Sequence, residues 1–221
     1  MCTVAAFSNG DWDVEHTNWS VTLLRLSGSF VGLGAAMMAL KGVLLMTTGN
    51  DRSLVPWFAF LTSIGFCLAS AALWRTCQRW RFLAVVGGVA AAVGVGAAII
   101  SVGYLVTGTI PETPDAPGLV GLSYAVSSAA IALAIVSLGI LILVNRSLTG
   151  RWRWLPIGLI LAQLPIFIVS GAIGDTAGSE DVTDGLGLAL TGAAWMLLGW
   201  AIAYRHQPQP TGQSVARSSA S

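Results

Sequence analysis

The chain has 221 residues, of which 55% are hydrophobic and only 10% are charged. Soluble domains average about 25% charged residues, so this composition excludes an ordinary soluble domain and is typical of a membrane protein. The formal net charge is +1, and we expect no nucleic-acid partner.

Six apolar stretches are each long enough to cross a bilayer, which requires roughly 20 residues. They cover 21–46, 56–74, 82–106, 119–144, 155–173 and 185–204. We therefore predict an all-α fold, a polytopic six-transmembrane-helix bundle over 21–206. An acidic N-terminal arm, 1–20, precedes the bundle, and a disordered cytoplasmic tail, 207–221, rich in Pro, Gly, Ser and Gln, follows it.

The basic residues predict the orientation, because Lys and Arg concentrate in cytoplasmic loops. With the N-terminus inside, only Lys41 and Arg52 fall outside. The cytoplasmic side then receives Arg25, Arg75, Arg79, Arg81, Arg146, Arg151, Arg153, Arg205 and Arg217. We predict that both termini are cytoplasmic. One lysine against ten arginines is typical of a high-GC prokaryotic genome, so we expect a multi-pass protein of the plasma (inner) membrane.

The N-terminal arm contains Asp11, Asp13 and Glu15. These acids have no recognised ligand spacing for a metal site, so we interpret the arm as a solvated or interfacial segment, with a cation site or docking strip as the alternative. The predicted outer loops, 107–118 and 174–184, are also acidic. We interpret them as solvated loops, although their charge could concentrate cations.

Three spans carry small residues at the i, i+4, i+7, i+11, i+14 spacing that places them on one helical face. These residues are Gly28, Gly32, Ala35, Ala39 and Gly42 in the first span, Gly87, Ala91, Gly94, Ala98 and Ser101 in the third, and Ser123, Ser127, Ala130, Ala134 and Ser137 in the fourth. Small residues let helix backbones approach closely in lipid, so these faces predict a compact bundle.

Lys41, the only lysine of the chain, lies near the outer end of the first span, and Arg25 lies near its inner end. Long basic side chains snorkel from such positions to the headgroup layers, which is the simpler interpretation. The alternative is an ion pair for Lys41, with Asp51 in the following turn as the nearest candidate.

Two predicted turns, 74–81 and 151–154, combine arginine with tryptophan. Arginine is costly at the bilayer centre and tryptophan favours the headgroup layer, so we predict membrane-interface anchors that could also bind anionic lipids at the cytoplasmic face. The predicted anchors are Arg75, Arg79, Trp80, Arg81, Arg151, Trp152, Arg153 and Trp154. These turns group the six spans as three helical hairpins.

The fifth span contains Gln163 and Pro165. Proline cannot donate to its helix, so we expect a kink, and Gln163 would either repair the defect or line a cavity. A kinked span beside a polar side chain is how many transporters form a midplane site, and the hydroxyls of Ser101, Tyr104 and Tyr124 would complete the lining. Proline in an ordinary helical bundle gives the same pattern.

Histidine-based catalysis and internal bis-histidine haem ligation need histidines at depth, whereas His16 and His206 both lie outside the predicted spans. The cysteines form no CxxC pattern, and we predict no disulfide. We predict no catalytic residue, no cofactor and no metal.

No motif in the sequence names a substrate. The leading hypothesis is a non-enzymatic subunit or regulator of a membrane assembly, with a membrane-protein partner or a second copy of the chain bound through the small-residue faces. A small-molecule or ion transporter with a site near the kinked fifth span is the alternative. A lipid-acting interfacial enzyme is the third hypothesis.

Overall fold

The computed structural model describes residues 10–48, 54–76, 80–107, 118–145, 148, 150–177 and 180–205. In this part of the chain there are six α-helices and one short 3-10 helix, and no strand. The α-helices are α1, Gly10–Thr48; α2, Leu54–Thr76; α3, Arg81–Thr107; α4, Leu119–Val144; α5, Leu155–Ala177; and α6, Glu180–Tyr204. The 3-10 helix, Gly150–Trp154, leads directly into α5.

Five of the described helices are long and apolar enough to cross a membrane. The spans are Trp19–Thr47 in α1, Leu54–Trp74 in α2, Arg81–Thr107 in α3, Gly121–Val144 in α4 and Asp181–Tyr204 in α6. The described part of the chain is all-helical, and several of its helices are compatible with a multi-pass membrane protein. The helix α5 coincides with the predicted span 155–173 but is not among the five.

The first helix begins earlier than the apolar pattern predicts. It starts at Gly10 and has 39 residues, which at 1.5 Å per residue gives about 58 Å, well beyond the roughly 30 Å of a hydrocarbon core. The acidic stretch of the predicted arm is thus helical from Gly10 onward. The N-terminal part of α1 extends beyond the membrane-spanning segment Trp19–Thr47. The predicted tail, 207–221, lies outside the described residues.

Each helix packs against its chain neighbours, and α1 packs most extensively against α6. Buried residues of α1, α2, α3, α4, α5 and α6 form one hydrophobic core that includes Val31, Phe66, Ala91, Leu138 and Leu198. Contacts between α4 and α5 are sparse by comparison. The helix ring is therefore closed by the first and last helices and loosely packed between α4 and α5.

Glycines bring α1 and α6 into backbone contact in an antiparallel register. A Cβ added at Gly28 would overlap the carbonyl oxygen of Gly199, and one added at Gly42 would overlap that of Gly185. Between these two contacts, a Cβ at Gly192 would lie 2.7 Å from the carbonyl oxygen of Ala35. The predicted face of α1 is a packing face, and its partner is α6.

The small-residue faces of α3 and α4 pack against each other, and all ten of their residues are buried. The hydroxyls of Ser101 and Ser123 are hydrogen-bonded at 2.8 Å, and Ser127 donates to the carbonyl oxygen of Gly94 at 3.5 Å. The prediction that these two faces are helix contacts is confirmed.

Candidate intramembrane cavity

The loosely packed region between α4 and α5 contains a cavity of about 480 Å³. Its described lining residues come from α1, α2, α4, α5 and α6: Met38, Val55, Phe58, Ala59, Tyr124, Ser127, Ser128, Ile131, Ala132, Ile135, Val136, Leu159, Ile160, Gln163, Leu188, Thr191 and Trp195. Ligand pockets for drug-sized molecules occupy about 300–1,000 Å³, so this cavity has the volume of a small-molecule site.

The cavity forms because α4 and α5 meet closely at only one end. Gly139 of α4 packs against Pro156 in the first turn of α5, where a Cβ added to the glycine would lie 3.1 Å from the proline Cβ. Farther along, Leu159 and Gln163 of α5 face the cavity. The small-residue face of α4 is already used by α3, so α5 meets a different face of α4.

The cavity extends along α4 and opens at the side of the bundle. Its lining on α4 extends from Tyr124 to Val136, twelve residues or about 18 Å of helix rise. Ser128, Ala132 and Val136 line it and are also exposed on the outer surface of α4. The mouth is therefore lateral, beside α5, at the level of the apolar span of α4.

Apolar side chains dominate the lining, and no charged side chain of a described residue lines the cavity. The polar lining residues are Tyr124, Ser127, Ser128, Gln163 and Thr191. Few polar groups on a mostly apolar wall are typical of a site that orients a small molecule while burying its hydrocarbon surface.

A hydrogen-bonded pair connects α5 and α6 beside the cavity. Thr191 Oγ1 donates to Gln163 Oε1 at 3.2 Å, and Gln163 Nε2 donates to the carbonyl oxygen of Leu159 at 3.3 Å. A glutamine amide has two N–H donors and an oxygen with two lone pairs. These two bonds use one donor and one lone pair, so one N–H and one lone pair of Gln163 remain for a ligand.

Trp195, one turn after Thr191 on α6, is a rigid part of the wall. It is only 8% exposed and contacts the rings of Phe58 and Phe66 at centroid distances of 5.8 and 5.9 Å. Its indole N–H is buried and has no acceptor among the described residues. Buried polar groups are normally hydrogen-bonded, so this N–H is an exception among the described residues, and it is enclosed by the wall and not exposed to the cavity.

The structure brings together two of the five residues predicted to line a transport site. Gln163 and Tyr124 line the cavity, whereas Pro165 has an exposed side chain. Ser101 is buried against Ser123 between α3 and α4, and Tyr104 does not line the cavity. The hydrogen bond of Gln163 goes to Leu159, not to the Leu161 carbonyl that lacks the Pro165 N–H. The transport role of these residues stays a prediction.

Sequence reasoning did not select Thr191 and Trp195 as site residues. Both lie in the predicted sixth span, and Thr191 is a lone hydroxyl without a distinguishing pattern. The available signal is their i, i+4 spacing, which places both on one face of α6. This shared face identifies Thr191 and Trp195 as site residues only when α5 is known to pack against it.

Several of the predicted anchor residues form arginine–tryptophan stacks at one end of the bundle, and their role as membrane anchors stays a prediction. The guanidinium carbon of Arg81 lies 5.5 Å from the Trp74 ring centroid, and that of Arg153 lies 5.8 Å from Trp154. Such cation–π contacts contribute about 0.5–1 kcal/mol at exposed sites. Trp152 likewise stacks with Arg205. Of the other predicted anchors, Trp80 packs against the hydrophobic core and Arg151 is exposed.

The side chain of Arg75 and all of Arg79 lie outside the described residues, as does Asp51, the predicted partner of Lys41. Lys41 itself is 6% exposed and lies within the helix bundle.

No family model, curated protein or solved structure matches the chain.

Proposed function

We propose that the protein is a small-molecule transporter of a prokaryotic plasma membrane, with six spans and both termini in the cytoplasm. Its substrate binds in the lateral cavity between α4 and α5. In this proposal α5 also crosses the membrane, in addition to the five apolar helices; it has 23 residues and contributes Gln163 to the site. The cavity carries the proposal, because a ligand-sized space with a partly satisfied amide at depth has no evident structural use.

The first test measures whether a small apolar molecule enters this space. Ile131 and Leu159 line the cavity but are only 7% and 6% exposed. A small aryl diazirine that partitions into vesicles should therefore label both residues after illumination, quantified by mass spectrometry of peptides. Leu24 and Leu148, similarly buried at 5% and 4% exposure but not lining this cavity, should remain unlabelled.

Two alanines of α4 supply a matched pair of variants. Ala132 and Ala129 are both exposed and lie one turn apart, but only Ala132 lines the cavity. We expect Ala132→Trp to block the mouth and reduce labelling of Ile131 and Leu159 several-fold, with no such effect for Ala129→Trp. Equal labelling in both variants, or no labelling of the wild-type cavity, would contradict the proposal.

A non-enzymatic subunit or regulator of a membrane assembly is the second candidate. The observation that favours it is the outer face of α3, where Gly96 and Gly103 are exposed and an added Cβ would meet nothing within 4 Å. Such a face permits close approach of a partner helix. A protein that co-elutes in stoichiometric amount after purification in mild detergent would favour this role over transport.

A further inference from the structure

We propose that the ligand of the α4–α5 cavity is an uncharged lipid with one hydrogen-bonding group, such as a fatty alcohol, held by that group at Gln163. This inference rests on the proposed function, since it names the substrate class of the same site. The ligand enters from the bilayer and is not a solute taken up from water.

The lining excludes a charged ligand group. Removing an ionised group from water without a charged partner costs far more than a hydrogen bond can return, and the described lining supplies no charged side chain. The ligand must therefore be neutral where it contacts the wall.

The spare hydrogen-bonding capacity defines the polar group. Gln163 retains one N–H and one lone pair after its bonds to Leu159 and Thr191. A hydroxyl matches both, because it can accept from the N–H and donate to the amide oxygen; a carbonyl matches the N–H alone.

The shape and the mouth identify the source. A lining of about 18 Å along α4 accommodates an extended hydrocarbon chain better than a compact solute. The exposed lining residues Ser128, Ala132 and Val136 place the opening on the lipid-facing surface, so a chain could enter from the bilayer without crossing the headgroup layer.

The test uses three probes with one C16 chain and one diazirine, ending in a hydroxyl, in hydrogen or in phosphate. Each is added at equal mole fraction to vesicles that contain the full-length protein, and labelling of Ile131 and Leu159 is quantified after illumination. We expect the alcohol to label these residues most. The alkane should label them about threefold to tenfold less, which corresponds to one net hydrogen bond of about 1 kcal/mol. The phosphate should label them least.

The variant Gln163→Leu keeps the side-chain volume and removes the amide. It should lower labelling by the alcohol to the level of the alkane and leave labelling by the alkane unchanged. Thr191→Val, on the other helix, should lower the preference for the alcohol in the same direction, because Thr191 orients the amide. Ser101→Ala, a hydroxyl loss between α3 and α4, is the matched control and should leave labelling of Ile131 and Leu159 by all three probes unchanged.

The outcomes separate this inference from the proposed function. Equal labelling by phosphate and alcohol, or an unchanged preference for the alcohol in Gln163→Leu, would overturn the neutral-lipid assignment while leaving the cavity a binding site. Failure of all three probes to label Ile131 and Leu159 would overturn both, because the space would then be closed to molecules from the bilayer.

Discussion

At the residue scale, two interhelical polar pairs of similar chemistry have different surroundings. Ser101 and Ser123 bond to each other at 2.8 Å between tightly packed α3 and α4, whereas Gln163 and Thr191 bond at 3.2 Å beside open space. Residue type alone could not distinguish them. Because Ser101 places a hydroxyl within a predicted span, it was predicted to line a site. In the structure, the face of α3 that carries Ser101 packs against α4.

The Ser101–Ser123 bond should contribute modestly to stability. Interhelical hydrogen bonds in membranes average about 0.6 kcal/mol, so Ser101→Ala should lower the unfolding free energy by about that amount. Ser128→Ala is the control, because Ser128 is exposed on the same bundle. We expect this variant to change the unfolding free energy by no more than roughly 0.5 kcal/mol. Unfolding in detergent measures both, and a larger loss for Ser128→Ala would contradict the assignment of these two hydroxyls.

At the element scale, the spacing of small residues predicted which faces of α3 and α4 meet, because both helices show the pattern. The same pattern predicted a packing face on α1 but not its partner. Gly185, Gly192 and Gly199 of α6 recur every seven residues, which matches the Gly28, Ala35 and Gly42 repeat of α1 in antiparallel order. Comparison of glycine repeats between helices, and not within one helix, would have found this contact.

Two glycines of α1, one turn apart, test this contact. A methyl group at Gly28 would overlap the backbone of Gly199 and Ala203, whereas one at Gly32 would meet nothing within 4 Å. Overpacking costs about 1–3 kcal/mol, so Gly28→Ala should lower the thermal unfolding midpoint. Gly32→Ala should leave the midpoint unchanged or raise it, because alanine favours the helix. A loss of stability in Gly32→Ala equal to that in Gly28→Ala would contradict the antiparallel register of α1 and α6.

At the scale of the whole molecule, composition was sufficient to predict an all-helical membrane protein, and the apolar runs predicted most helix ends within a few residues. The exceptions are the starts of α1 and α6, where polar residues continue a helix that apolar periodicity does not mark, so the predicted outer loop 174–184 is wrong where α5 reaches Ala177 and α6 begins at Glu180. The cavity could not be predicted, because it depends on how α4 divides its faces between α3 and α5. It exists where two helices lack complementary small-residue faces, and a single-helix pattern carries no such information.

The most direct measurement is an experimental structure of the full-length protein in lipid nanodiscs, at a resolution that shows bound lipids. We predict an elongated density between α4 and α5 that ends within hydrogen-bonding distance of the Gln163 amide and extends toward the mouth at Ala132. A structure in which α4 and α5 pack tightly along their whole length, or in which the space is filled by protein side chains, would contradict the proposed lipid site.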